Sequence, residues 1–207
     1  MCAPRASRSL WISVKVTAIH HAMRALIALA FAFMLAACGV QSHAPLRHDP
    51  ELDRLFAQLG QAPDDTSAAT IEQAIWARWA DSGSPTVNVL LERATAAMDS
   101  GDNDLALRFL DQASDLAPNF AEPWNRRANI AYHADDYAGA IAAIQETLKR
   151  EPRHFGALAG LGLIYEELNQ PRAALDAFRA ALAIHPHYEI ARQGVRRLES
   201  RVEGRDA

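Results

Sequence analysis

Residues 121–154 read AEPWNRRANIAYHADDYAGAIAAIQETLKREPRH, and this stretch decides the fold. Its apolar residues recur three and four positions apart on both sides of the polar segment Ala134-Asp135-Asp136. Apolar residues at that spacing are typical of amphipathic helices, and a short polar segment between two of them is typical of a turn. The stretch therefore predicts two helices joined by a tight turn.

The same pattern recurs at a fixed distance on either side of this stretch. Pro118, Pro152 and Pro186 are spaced by 34 residues. Residue types repeat in phase with these prolines. Small residues occupy two sets of equivalent positions: Ala94, Ala128 and Gly162, and Ala106, Ala140 and Ala174. Large apolar residues occupy a third set: Leu110, Ile144 and Phe178. Three copies in phase predict helix pairs at residues 87–120, 121–154 and 155–188.

This 34-residue pattern resembles the tetratricopeptide repeat (TPR), which forms two antiparallel helices per unit. The middle copy carries most of the motif, at Trp124, Ala128, Tyr132, Tyr137, Ala140, Ile141 and Pro152. The resemblance implies an all-α fold, an α-solenoid of three TPR helix pairs. An abundance of alanine and an aromatic content of only 7% agree with close-packed helices.

The two ends of such an array need covering. Residues 189–203 predict a C-terminal capping helix with the apolar stripe Ile190, Gly194, Leu198 and Val202. Its other face carries Arg192, Arg196, Arg197 and Arg201, but Glu199 and Glu203 are interleaved, so we expect no nucleic-acid partner. Residues 51–86 predict a degenerate N-terminal helical pair, as a cap or as an incomplete repeat, with Trp76 and Trp79 in its core.

The N-terminal segment differs in charge from the rest of the chain. Residues 1–37 hold four basic residues and no acidic one, which leaves 17 basic against 25 acidic residues beyond them. The apolar run at residues 25–37 has thirteen residues, about 20 Å as a helix, shorter than a bilayer core of about 30 Å. A basic flank before a short apolar run is typical of a signal peptide.

The end of this run, Leu35-Ala36-Ala37-Cys38, resembles the bacterial lipobox, in which the cysteine is acylated and becomes the first mature residue. The resemblance implies lipidation at Cys38 and a signal peptide at 1–37. Residues 39–50 have no hydrophobic period, so we expect a flexible tether at 38–50. It also implies a lipid-anchored protein of the bacterial envelope, and Gly39 favours the outer membrane, facing the periplasm. An ordinary signal peptide or a short anchor are the alternatives, and residues 1–22 precede a compact signal that could start at Met23.

Sequence motifs for catalysis are missing from the part of the chain after residue 37. It contains neither a phosphate-binding glycine loop nor a cluster of potential metal ligands at a suitable spacing. We therefore expect no enzyme, no catalytic residues, no metal site and no cofactor. His185 and His187 form its only close histidine pair, and His154 lies one repeat earlier. We interpret all three as surface residues of the turns between repeats.

Binding is the activity that the resemblance implies. Arrays of this family hold an extended peptide or a helix in a concave groove lined by the first helix of each repeat. The groove positions are Leu91, Thr95 and Met98 in the first repeat, Asn125, Asn129, Tyr132 and His133 in the second, and Leu163 and Glu166 in the third. Leu91, Thr95 and Gly156 replace polar or basic residues of the carboxylate-clamp version, so we do not expect chaperone-tail binding.

The sequence therefore predicts a non-enzymatic protein–protein interaction scaffold or adaptor, anchored to the membrane by lipid at Cys38. Its expected partner is a peptide or helix segment of another envelope protein. Two alternatives stay open: an accessory subunit or unrecognised hydrolase of the envelope, and a membrane-anchored cytoplasmic TPR protein.

Overall fold

The computed structural model describes residues 49–204, and all regular elements in that range are α-helices. They are α1 (Pro50–Leu59), α2 (Asp65–Ala80), α3 (Pro85–Asp99), α4 (Asn103–Leu116), α5 (Glu122–His133), α6 (Tyr137–Arg150), α7 (Phe155–Glu167), α8 (Pro171–Ile184) and α9 (Glu189–Glu203). Helices α3/α4, α5/α6 and α7/α8 pack as antiparallel pairs, and α9 packs on α8. The all-α solenoid fold is confirmed. The predicted signal peptide, Cys38 and most of the tether lie outside the described residues.

The turn inside each repeat is set by one residue in the left-handed region. Gly101, Asp135 and Asn169 have φ angles of 79°, 57° and 52° and are spaced by 34 residues. Asp102 and Asp136 follow the first two, and their carboxylates accept hydrogen bonds from the backbone N–H groups of the third residue beyond, at 3.0 and 2.9 Å. A carboxylate N-cap satisfies a free N–H and starts the second helix of the pair.

Small residues bring the helices of each pair together. Ala106, Ala140 and Ala174 are all fully buried. The large apolar position of the third repeat, Phe178, is also fully buried and lies between two glycines. A Cβ atom at Gly162 or at Gly194 would lie 2.6 or 2.4 Å from the Phe178 ring. Two neighbouring helices therefore approach Phe178 as closely as a side chain allows.

The sequence predicted that the N-terminal pair α1–α2 would cap the N-terminal end of the array. In the structure this pair packs instead against the third repeat and α9. One core joins the two parts, formed by Leu52, Leu55, Leu59, Ala68, Ile75, Trp79, Phe155, Phe178 and Leu198, among others. Gly60 ends α1 as its C-cap. The physical reason is the aromatic face of α2, because Trp76 and Trp79 pack on Phe155 with ring centroids 5.3 and 5.0 Å apart.

The C-terminal helix α9 buries a face slightly rotated from the predicted one. Ala191, Gly194 and Leu198 are buried, whereas Ile190 is 45% exposed. Part of the basic face is paired within the molecule, since Arg192 pairs with Asp65 at 2.9 Å and Arg197 pairs with Glu166 at 2.7 Å. These pairs use charges that a nucleic-acid surface would have presented to phosphates.

A transmembrane helix was not found in the part of the chain that the structure describes. Between residues 49 and 204 no helix combines the length and the apolar character needed to cross a bilayer.

Candidate functional site

The structure forms a cavity of about 270 Å³ between the first helices of the second and third repeats. Helices α5 and α7 supply most of its lining: Asn125, Ala128, Asn129, Tyr132 and His133, and Gly156, Ala157, Gly160, Leu163 and Ile164. The predicted groove residues of the second repeat and Leu163 therefore come together in one cavity. We call this cavity the α5–α7 groove.

The two walls of the groove differ in chemistry. The α5 wall presents two amides, a phenol and an imidazole, whereas the α7 wall presents glycine, alanine and leucine. Gly160 leaves space for a ligand, because a Cβ atom there would find only Ile144 Cδ1, at 3.8 Å. Apolar walls with a few orienting polar groups are typical of ligand sites.

Negative charge gathers at the end of the groove where α5 and α7 finish. Burial, together with the carboxylates of Glu167, Asp135 and Glu166, raises the pKa of Tyr132 above its ordinary value. Tyr132 therefore stays a neutral hydrogen-bonding phenol at any ordinary pH. Glu166 itself pairs with Arg197 and does not line the groove.

The first repeat contributes nothing to this cavity, which corrects the prediction for Leu91, Thr95 and Met98. Leu91 is only 3% exposed and belongs to the core of the first repeat, and Met98 packs against the same core. The Thr95 hydroxyl donates to the carbonyl oxygen of Leu91 at 2.9 Å and accepts from Arg126. Helical periodicity placed these three residues on a common face but did not show that this face is occupied by the first repeat's own core and by Arg126 of α5.

His154 was interpreted as a surface turn residue, and the structure corrects this. Its side chain is fully buried and stacks on the Trp79 indole, with ring centroids 4.1 Å apart and planes 7° apart. The backbone N–H of Ala157 donates to its Nδ1 at 3.0 Å, so the ring caps α7. Nδ1 therefore keeps its lone pair, and Nε2 carries the proton 3.2 Å from the buried carboxylate of Glu122.

His185 is corrected in the same way, with a side chain that is 1% exposed. Its Nε2 donates to Glu72 Oε2 at 3.0 Å, and Glu72 Oε1 accepts from the indole N–H of Trp76 at 3.0 Å. Burial lowers the pKa of His185, against the opposing effect of the Glu72 carboxylate. Sequence reasoning missed this histidine because the covering helix α2 comes from more than a hundred residues earlier.

His187 remains at the edge of this contact. Its two ring nitrogens lie 2.6 Å from Asp65 Oδ1 and 3.1 Å from the carbonyl oxygen of Ala62. Hydrogen bonds from Arg192 and His187 lower the pKa of Asp65 to about 2. The turn between α8 and α9 is therefore tied to the beginning of α2 by charged groups.

A metal site was not found among the described residues. In residues 49–204 no three histidine, cysteine or acidic side chains come close enough together to hold an ion.

Comparisons with known proteins agree with this architecture. A family model described as tetratricopeptide repeat matches residues 91–146 and 134–189. A TPR repeat-containing protein of Rhizobium etli is 37% identical over 164 residues, which cover 79% of this chain and 80% of the relative.

Solved structures show the same fold at low identity. The TPR domain of Arabidopsis OM64 is 22% identical with a TM-score of 0.53, and the match covers 56% of this chain and 96% of that domain. The first TPR of Spaghetti (RPAP3), solved with an HSP90 peptide, is 18% identical with a TM-score of 0.54 and covers 59% of this chain and 96% of that one.

Among the described residues, an array of paired helices defines the class of α-solenoid repeat proteins. Within that class, the chain belongs to the tetratricopeptide-repeat family. Proteins of this family generally mediate protein–protein interaction, and the fold is typically a non-enzymatic scaffold.

Proposed function

We propose that the α5–α7 groove binds a peptide or a helix segment of a partner protein. The observation that carries this proposal is the convergence of Asn125, Asn129 and Tyr132 on one cavity whose opposite wall is glycine and leucine. Amide side chains can both donate to and accept from a peptide backbone, and the glycines allow that backbone to come close. The negative charges around Tyr132 favour a neutral or basic ligand.

The comparisons support the mode of binding but not the identity of the ligand. The Spaghetti repeat was solved with an HSP90 peptide, which shows what that protein binds. In this chain Gly156 and Leu91 stand where a carboxylate clamp needs polar or basic groups, and Leu91 is buried. We therefore propose a ligand recognised by its backbone and by neutral or basic side chains, not by a terminal carboxylate.

A photo-crosslinking amino acid at Asn129 tests the groove in the native host. The matched control is Gln112, an exposed polar residue on α4, outside the groove. We expect Asn129 to give a defined protein adduct that Gln112 does not give, and Asn125→Ala should weaken it. Equal adducts from both positions would contradict the groove.

We further propose that the chain is an envelope lipoprotein, acylated at Cys38 and held at the outer membrane facing the periplasm. The support is the sequence alone: a basic flank, a short apolar run and Leu35-Ala36-Ala37-Cys38. Acyl chains contribute about 0.8 kcal/mol per buried CH₂, so a multiply acylated terminus binds membranes firmly.

Incorporation of labelled fatty acid tests the acylation of Cys38, and separation of inner from outer membranes tests the location of the protein. Wild type should take up label, and Cys38→Ser should not. Equal labelling of both proteins, or a mature N-terminus elsewhere than Cys38, would overturn the lipoprotein assignment. Recovery of acylated protein from the inner membrane would overturn only the outer-membrane location.

A further inference from the structure

The protein's own N-terminal pair packs against one end of the α5–α7 groove. Gly156 lines the groove at the start of α7, and a Cβ atom built on it would lie 2.5 Å from Trp76 Cη2. The indole of Trp76 therefore rests directly on the groove wall at this point. A residue larger than glycine at 156 would have to displace it.

The indole is held in this position from several sides. Its N–H donates to Glu72 at 3.0 Å, and its ring packs edge-on against His154 and Phe155, with centroids 5.5 and 5.3 Å away. Trp79 adds a further edge contact at 5.1 Å. An aromatic ring packed on three other rings and anchored by its N–H is a rigid wall, not a mobile surface side chain.

A second cavity lies on the other side of the same ring. It has a volume of about 570 Å³ between α2 and the start of α9. Its walls are formed by Trp76 together with Ala68, Ala69, Glu72, Tyr188 and Ile190. The Trp76 indole thus stands between this cavity and the α5–α7 groove.

We infer that Trp76 is a specificity-determining residue that limits how long a segment the groove accepts, an inference that rests on the groove proposal above. The polar wall from Asn125 to His133 extends about 12 Å at 1.5 Å per helical residue. That length matches about four residues of an extended peptide at roughly 3.3 Å each. Beyond them the ligand meets the indole and cannot continue into the second cavity.

Two substitutions remove this wall in different ways. Trp76→Ala deletes the ring, whereas Gly156→Ala keeps the ring and pushes it away with a methyl group at 2.5 Å. Gly60→Ala is the matched control, because it adds the same methyl outside the groove, in a right-handed helical conformation and at an ordinary 3.7 Å from its nearest neighbour. Gly156→Ala also keeps the inference testable if Trp76→Ala does not fold, as judged by circular dichroism.

The test uses the full-length chain in detergent and a phage library of random peptides as the probe. Peptides that enrich on wild type but not on Asn125→Ala with Asn129→Ala are groove ligands, and shortened and lengthened versions are then titrated by fluorescence anisotropy. With wild type and Gly60→Ala, affinity should stop rising beyond about four contacting residues. With Trp76→Ala and Gly156→Ala, longer peptides should bind with about tenfold higher affinity, because one more ligand side chain can be buried.

The outcomes separate the two proposals. Groove-dependent peptides with the same length limit on wild type and on Trp76→Ala would overturn the role of Trp76 and leave the groove intact. Failure of any peptide to depend on Asn125 and Asn129 would overturn the groove, and the role of Trp76 with it.

Discussion

At its third-repeat end the array packs against two further elements, α9 and the α1–α2 pair, whereas the core of the first repeat includes no residue of those elements. The covered end has an aromatic core around Phe155, His154 and Trp79. The first repeat has its own core of leucine and alanine, joined by Ile130 of the next repeat. Elements from both termini of the described chain therefore stabilise the same end.

This difference affects both stability and recognition. Each repeat of a solenoid depends on its neighbours, so the repeat with the fewest neighbours opens most easily. The first repeat should be the more dynamic end, and the third repeat the rigid wall against which a ligand is held. Substitutions and a change of pH at the two ends test this contrast.

The largest effect is expected at the large apolar position of the covered end. Phe178→Ala should lower the free energy of unfolding by about 3–5 kcal/mol, because the ring is fully buried between Gly162 and Gly194. The equivalent Leu110→Ala in the first repeat should cost less, within the range of about 2–5 kcal/mol for buried leucines. Urea titration of residues 45–207 measures both. An equal or larger loss for Leu110→Ala would contradict the contrast between the two ends.

Overpacking should give the next largest effect. Ala140→Leu and Ala174→Leu place a large side chain at fully buried helix contacts and should each cost about 1–3 kcal/mol or more. Gln170→Ala is the control, because Gln170 is exposed and its side chain makes no cap hydrogen bond. The same titration compares them. If leucine at Ala140 and Ala174 lowers the free energy of unfolding no more than alanine at Gln170, these two positions are not the close helix contacts of the 34-residue repeat.

Acidification should loosen the covered end by a smaller amount. The folded pKa of His185 lies below its unfolded value of 6.5, so the fold prefers the neutral ring. Stability from this group is complete above pH 6.5 and falls as the pH decreases. Asp65 does not interfere between pH 7.5 and 5.5, because its pKa is about 2 when folded and 3.8 when unfolded.

Hydrogen exchange at pH 7.5 and 5.5 measures this effect at α2 and α8. Amides there should lose protection on acidification, whereas those of α3 and α4 change less. His185→Gln, which cannot charge, should remove most of this pH dependence. An unchanged pH dependence in His185→Gln would assign the effect to another group.

The smallest effect is expected at the groove between the two ends. Asn125→Ala with Asn129→Ala should change the free energy of unfolding by less than about 1 kcal/mol, because Asn125 is only partly buried and Asn129 is exposed, and truncating such polar side chains rarely destabilises a domain. The same double variant should lose the crosslinked partner. A melting temperature well below wild type would show that the two amides stabilise the fold instead of binding a ligand.

The position of the turns inside the repeats could be predicted from the sequence, but their backbone conformation could not. The sequence placed a turn at Asp135, and the structure adds that its φ is 57°, in the left-handed region. Such a position strains alanine but not glycine, so Asp135→Gly should be tolerated better than Asp135→Ala. Residue types alone indicated the turn but not which of its residues takes this conformation.

The α5–α7 groove also could be predicted from the sequence only in part. The polar face of α5 could be predicted, because Asn125 and Asn129 are four residues apart on one helix. The matching face of α3 could not, since Leu91 and Thr95 have the same spacing and yet contact their own repeat and Arg126. Spacing defines a face, and only packing determines what that face contacts.

The helix pairs, their 34-residue period, the turns and the family could all be predicted from the sequence, because they depend on residues within one or two repeats. The packing site of the N-terminal pair could be learned only from the folded chain, where this pair buries His154 and His185 and places Trp76 on Gly156. Those contacts join residues about 80 to 130 positions apart, such as Glu72 with His185 and Asp65 with Arg192. An apolar helix face can pack on any complementary surface, and the chain's own sequence pattern does not state which surface that is.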